Sequence, residues 1–192
     1  MRLKASALIL VVLGVALGPA YYLYCEYLSG RDSASFELGT RAERWAMPDG
    51  SIQRFRSGLA YRPLPLDLHP ERNRVRLTLT FDMPAEGAPA AVSEYQATLF
   101  DGDHPLLQRT LRVDMRPGAS TAVTAGTLVI RTPAEHLFLL EELGAPALTP
   151  DRVTLTVREA VEQPLMLLVW TGLALLLAGI GISVYALMVP RL

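Results

Sequence analysis

The chain has 192 residues, 51% of them apolar, and a formal net charge of −1. Without a basic surplus or a long charged tail, it lacks the electrostatic footprint of a nucleic-acid binder. Its single cysteine, Cys25, excludes an intramolecular disulfide, a CxxC pair and a cysteine-based zinc site.

The average conceals two very apolar ends around a polar middle. Lysine occurs once (Lys4) and asparagine once (Asn73), against 17 arginines, a bias that points to a GC-rich bacterial genome.

Residues 1–4 form a positive lead, Met1-Arg2-Leu3-Lys4, followed by an uncharged run from Ala5 to Tyr24. Residues 5–25 are expected to form a first transmembrane helix. Gly18-Pro19-Ala20 offers the small residues that a signal peptidase reads. The apolar stretch continues past them into Tyr21, Tyr22, Leu23, Tyr24 and Tyr27, which suits a retained anchor at a membrane–water interface better than a new amino terminus. A lipoprotein site is disfavoured, because tyrosines and a leucine precede Cys25. Gly14 and Gly18 make a GxxxG, and Pro19 is expected to kink the helix near its outer end.

Residues 26–36 read as a linker, with Gly30 as a helix stop. From 37 to 161 the pattern is that of an extracytoplasmic all-β sandwich, Ig-like or jelly-roll-like. Arg41 to Phe55 reads as two short strands around Pro48-Asp49-Gly50, in preference to a short helix capped by Thr40 with Glu43 three residues on. Arg62 to Pro70 carries three prolines and alternating leucines, which suits a sheet edge.

Arg74 to Phe81 is the clearest strand. Val75, Leu77, Leu79 and Phe81 alternate with Arg74, Arg76, Thr78 and Thr80, a half-buried period of two. Arg152 to Arg158 repeats it. Val92 to Phe100, Leu106 to Met115 and Thr121 to Arg131 lie between, the first two joined by a hairpin loop at Asp101-Gly102-Asp103-His104-Pro105. Strands at such spacing argue for a sandwich. One short helix is expected to interrupt them. Thr132-Pro133-Ala134-Glu135 looks like a capping box, Leu137, Leu140 and Leu143 give an apolar face, and Gly144 ends it.

The last apolar run, Leu165 to Val189, has no charge and exceeds the about 20 residues needed to cross a ~30 Å hydrocarbon core. A second transmembrane helix over 164–189 follows, with Pro164 in its first turn, Trp170 and Tyr185 near its two ends, and a tail at 190–192. Gly172, Gly179 and Ser183 lie along one side, at intervals that let helices approach closely. Arg2 and Lys4 flank the first span and Arg191 the second. The positive-inside rule then puts both termini in the cytoplasm and the main domain in the periplasm, leaving no room for an internal output domain.

Chemistry is sparse. His69, His104 and His136 show no HxxxH or HExxH spacing, and no GxSxG, Walker or GxGxxG motif is present. Asp101, Asp103 and His104 are read as a hairpin turn rather than a cation site. Neither cofactor nor metal is expected. Charge is asymmetric: 41–76 holds eight arginines against four acids, and 77–163 six against twelve.

These features suggest a non-enzymatic accessory or scaffold subunit of the bacterial inner membrane, presenting a β-sandwich to a larger integral membrane protein or forming a homo-oligomer. Gly14, Gly18, Gly172, Gly179 and Ser183 are the helix-packing candidates. The alternative is an envelope module that binds an anionic lipid or glycan through the arginine-rich first half: Arg54, Arg56, Arg62, Arg72, Arg74 and Arg76. The competing use of those arginines is pairing with acids on neighbouring strands.

Overall fold

A computed structural model of the chain describes residues 2–46, 52–54, 59–72, 74–85, 90–131, 133–144 and 149–188. It divides into a helical unit, Met1–Gly30 with Val161–Leu192, and a strand unit, Arg31–Ala160.

In the helical unit, α1 (Arg2–Val15) continues through a π-helical segment, Ala16–Ala20, into α2 (Tyr21–Leu23) and a second π segment, Tyr24–Leu28. Proline has no N–H and its ring crowds the carbonyl one turn back; widening the turn relieves both. Pro19 lies inside the first π segment, where the Tyr21 N–H bonds to the Ala16 carbonyl five residues back. The irregularity expected of Pro19 is thus a wide turn. The second segment closes on a Ser29 N–H to Tyr24 carbonyl bond of 2.7 Å. The other helix, α3, spans Met166–Met188. Residues Ala5–Leu28 and Met166–Met188 are each long and apolar enough to cross a membrane.

The strand unit is a β-sandwich. One sheet has the order β1 (Arg31–Leu38), β12 (Arg152–Glu159), β7 (Arg74–Asp82), β10 (Ser120–Val129). The other runs β2 (Arg41–Ala42), β5 (Ala60–Tyr61), β11 (Ala134–Leu143), β8 (Ala91–Asp101), β9 (His104–Met115), with β6 (Leu64–Leu68) also paired to β11. All these pairings are antiparallel. Every Cβ alternates across a strand, so the period of two seen in the sequence becomes an inside and an outside. Val75, Leu77, Leu79 and Phe81 are fully buried, while Thr78 and Thr80 are half-buried on the other face. Phe81 of the first sheet packs on Tyr95 of the second with ring centroids 4.9 Å apart.

Several local readings hold. β3 (Arg44–Ala46) pairs with β4 (Ile52–Arg54) as a hairpin, in register Trp45 with Gln53; the turn at Pro48-Asp49-Gly50 lies outside the described residues. β6 lies along β11, with Pro65 within it and Leu66 and Leu68 buried.

Two expectations need correction. The short helix after Thr132 is a strand: β11 pairs with β8 on one side and with β6 and β5 on the other. Spacings of three among Leu137, Leu140 and Leu143 mimic a helix. The same segment has His136, Phe138, Leu140 and Glu142 at a period of two, and all four are buried. Eight residues paired with β8 on one edge and six with β6 and β5 on the other outweigh a local capping signal. Thr132 itself lies outside the described residues. Residues 26–36, expected to be a linker, are occupied by the end of the first helix and then by β1, which starts at Arg31 and pairs with β12 through Leu38. Alternation there is weak because β1 lies at the sheet edge and its outward and end residues are exposed.

Candidate functional site

Three places bring chemistry-bearing or packing residues together. The first is the helix pair. Gly14, Gly18, Gly172 and Gly179 are all buried. A Cβ on Gly14 would meet the Leu176 backbone and, at 2.8 Å, the Gly172 carbonyl oxygen. One on Gly172 would fall on the Gly18 backbone, 2.6 Å from its Cα. On Gly179 it would lie 2.8 Å from Val11 Cγ2 and 2.9 Å from the Val11 nitrogen. The two glycine faces singled out in the sequence therefore pack on each other within one chain. Ser183 plays a different part: its hydroxyl donates to the Gly179 carbonyl one turn back, at 2.9 Å.

Polar groups also tie the two helices near the ends from which the chain enters and leaves the sandwich. The Ser29 hydroxyl donates to the Cys25 carbonyl and accepts from the Glu162 N–H at 3.1 Å. The Tyr21 hydroxyl accepts from the Leu165 N–H at 3.4 Å. Cys25 itself is buried and free.

The second place is a buried polar cluster at one end of the sandwich interior, which the sequence did not reveal. Glu142 faces inward at the end of β11, opposite Tyr95 in register, and is 1% exposed. Arg41 Nη1 donates to Glu142 Oε2 at 3.3 Å, and the Tyr95 hydroxyl reaches Oε1 at 3.5 Å. The Arg41 guanidinium lies 5.9 Å from the centre of the Tyr61 ring. Burial is the largest influence on these groups. It pushes the Glu142 carboxyl above the ordinary carboxylate range against the opposing pull of Arg41 and the Tyr95 hydroxyl. Burial likewise pushes the Tyr61 phenol up to about 12, and the Tyr95 phenol upward too. Clefts of about 420 Å³ and about 240 Å³ flank the pair, the first lined by Arg41 and Tyr61 and the second by Ser93 and Glu142. The signal that could have found this cluster is the inward period of β11, hidden by the helical reading.

The third is the arginine-rich surface. Of the six candidate arginines, the side chains of Arg62, Arg74 and Arg76 are described. Arg62 is exposed just beyond β5 of the second sheet, whereas Arg74 and Arg76 share a face of β7 in the first. Arg56 and the side chains of Arg54 and Arg72 lie outside the described residues. Acids on neighbouring strands engage other arginines: Arg158 grips Asp32 at 2.7 Å and 3.3 Å, and Arg152 lies 3.5 Å from Glu37. The Arg158 guanidinium holds the Asp32 carboxyl below its usual range.

The histidines are dispersed in role. His136 is buried and donates through Nδ1 to the Ala134 carbonyl at 2.8 Å. His69 pairs with Asp67 at 3.2 Å on the surface, and His104 faces Asp101 across the β8–β9 turn, where Gly102 has a φ of +56°. Among the described residues, no group of three or more His, Cys, Asp or Glu side chains is placed to hold a metal ion.

No family model and no curated protein matches the chain. Among solved structures, the C-terminal CBM6 of LamC, a marine laminarinase from Zobellia galactanivorans, is similar at 10% identity and a TM-score of 0.36, over 64% of this chain and 99% of that one. A likeness that slight transfers neither ligand nor activity.

Proposed function

We propose that the chain is a non-enzymatic accessory subunit of the bacterial inner membrane. In this reading α1 and α3 cross the bilayer with both termini cytoplasmic, and the sandwich stands in the periplasm, where it docks on a larger integral membrane protein.

The observation that carries the reading is how the helices spend their surfaces. Backbone contact at Gly14, Gly18, Gly172 and Gly179 closes a two-helix anchor within the chain. The anchor leaves another face of α3 outward, with Trp170, Leu177 and Tyr185 exposed. On that face Gly181 has no described neighbour within 4 Å of where its Cβ would be. Association in lipid rests on close packing, and a glycine between large side chains is a notch for another helix.

Purification in a gentle detergent, followed by mass spectrometry, tests the proposal. A stoichiometric integral membrane partner should accompany the wild type and be lost from Gly181→Leu, whose own fold has room for the side chain. If the wild type carries no such partner from its native membrane, the subunit reading fails.

A further inference from the structure

We propose that the arginines on the outward face of the four-stranded sheet, at the end where its strands continue into the helices, hold the phosphate of an anionic phospholipid headgroup.

Register places them. Along the outward face, Thr80 lies beside Thr154 and Thr78 beside Thr156; the next row pairs Arg76 with Arg158, and Arg74 lies two residues further on. The face therefore changes from threonine to arginine over its last two rows. Those rows lie at the start of β1 and the end of β12, since Asp32 pairs with Arg158. β1 starts three residues after the first helix ends at Leu28, and β12 ends seven residues before Met166. Three residues of chain keep Arg31, itself exposed, within about 10 Å of the helix end.

Like charges side by side are unfavourable unless something answers them. Asp32 answers Arg158 with a two-bonded fork, and Thr127 accepts from Arg76 Nε at 3.4 Å. Arg74 is different. Its Nε is buried and has no hydrogen-bond partner among the described residues, while the residue as a whole is only half-buried. Its guanidinium thus has one donor, Nε, unanswered, and a planar fork of this kind matches the oxygens of phosphate or carboxylate. Basic residues within a few positions of a membrane span are drawn to anionic headgroups. That short tether selects a lipid over a free ion.

The inference rests on the reading of α1 and α3 as membrane spans, so insertion is checked first, by resistance of the full chain to carbonate extraction. The full chain in lipid-depleted micelles is then offered phosphatidylglycerol or phosphatidylcholine, with bound lipid counted by native mass spectrometry. The wild type should prefer phosphatidylglycerol about tenfold, and Arg74→Gln should lower its occupancy about fivefold, as expected for one arginine near an anionic surface. Arg158→Gln, on the same face and in register with Arg76, gives a second reading should Arg74→Gln fail to fold, and Arg109→Gln on the other sheet should change nothing.

Failure to insert overturns both readings. Insertion without the lipid preference, or a preference untouched by Arg74→Gln or Arg158→Gln, overturns this one alone. So does inorganic phosphate displacing the lipid at millimolar concentration, which would assign the arginines to a free anion.

Discussion

Gly18 and Gly172 meet backbone to backbone: a Cβ on Gly172 would come within 2.6 Å of the Gly18 Cα, a separation that no real side chain tolerates. The closeness is permitted only because both residues lack a side chain, and Gly14 and Gly179 repeat it one and two turns further along the pair, in the same direction. The helix pair is therefore one object rather than two independent helices.

Replacing Gly172 with leucine should separate the pair, because the obstructing atoms are Gly18 backbone and cannot rotate aside. The thermal midpoint of the full chain in detergent should fall by several degrees, about the shift that 1 kcal/mol or more produces in a protein of this size. Gly181→Leu should leave it within a degree or two. Equal midpoints for the two variants would show that the glycine contact does not hold the helices together.

In the sandwich, Leu79 is fully buried on β7 and Thr78 is half-buried beside it. Leu79→Ala should cost about 2 to 5 kcal/mol, and Thr78→Ala well under that. Urea unfolding followed by tryptophan fluorescence measures both. Comparable losses would mean that β7 is packed equally on its two faces.

β11 gives a sharper comparison, because helix and strand predict different partners there. Phe138 is inward and 1% exposed, whereas Glu135, three positions earlier and so on the opposite face, is exposed. Phe138→Ala should destabilise by about 3 to 5 kcal/mol. A proline at Leu139, tolerated nowhere in a strand paired on both edges, should abolish folding. A folded Leu139→Pro protein would contradict the two-sided pairing of β11.

Glu142 makes stability depend on pH in an unusual direction. Its folded pKa lies above the usual 4.5, so above pH 4.5 the native state holds more protons than the unfolded one. Stability should then decline as pH rises from about 4.5 through the folded pKa, and level off beyond it. Asp32, whose carboxyl is held below its usual 3.8, acts in the opposite sense and only at lower pH. Glu142→Gln should remove the decline while keeping an acceptor for Tyr95. Denaturation midpoints between pH 4.5 and 7 decide it: an unchanged slope in Glu142→Gln would assign the effect to another group.

Topology is the last expectation. Reporter fusions at residues 60 and 120 should be active with a periplasmic reporter and silent with a cytoplasmic one, because positive residues flank both spans on the same side. A cytoplasmic signal at either position would reverse the orientation.

Strands such as Arg74–Asp82 and Arg152–Glu159, and the two long apolar helices, were legible in the sequence because each is written in local periodicity: alternation of Leu with Thr, or an unbroken apolar run. The glycine spacings were legible as close-packing faces for the same reason. Their partner was not. Gly14 and Gly172 are 158 positions apart, and only the folded chain decides that they close on each other. Tertiary pairing likewise decided β11, whose leucines fit both a helix and a strand until β8 and β6 claimed its two edges. It decided Glu142 as well. A glutamate beside a run of leucines reads as solvent-facing, and its burial follows from a register that brings Arg41, a hundred residues away, to its carboxylate. Local pattern sets which face of an element is apolar; which residues meet across it depends on long-range pairing, whose loop-closure cost and packing gain no short stretch of sequence contains.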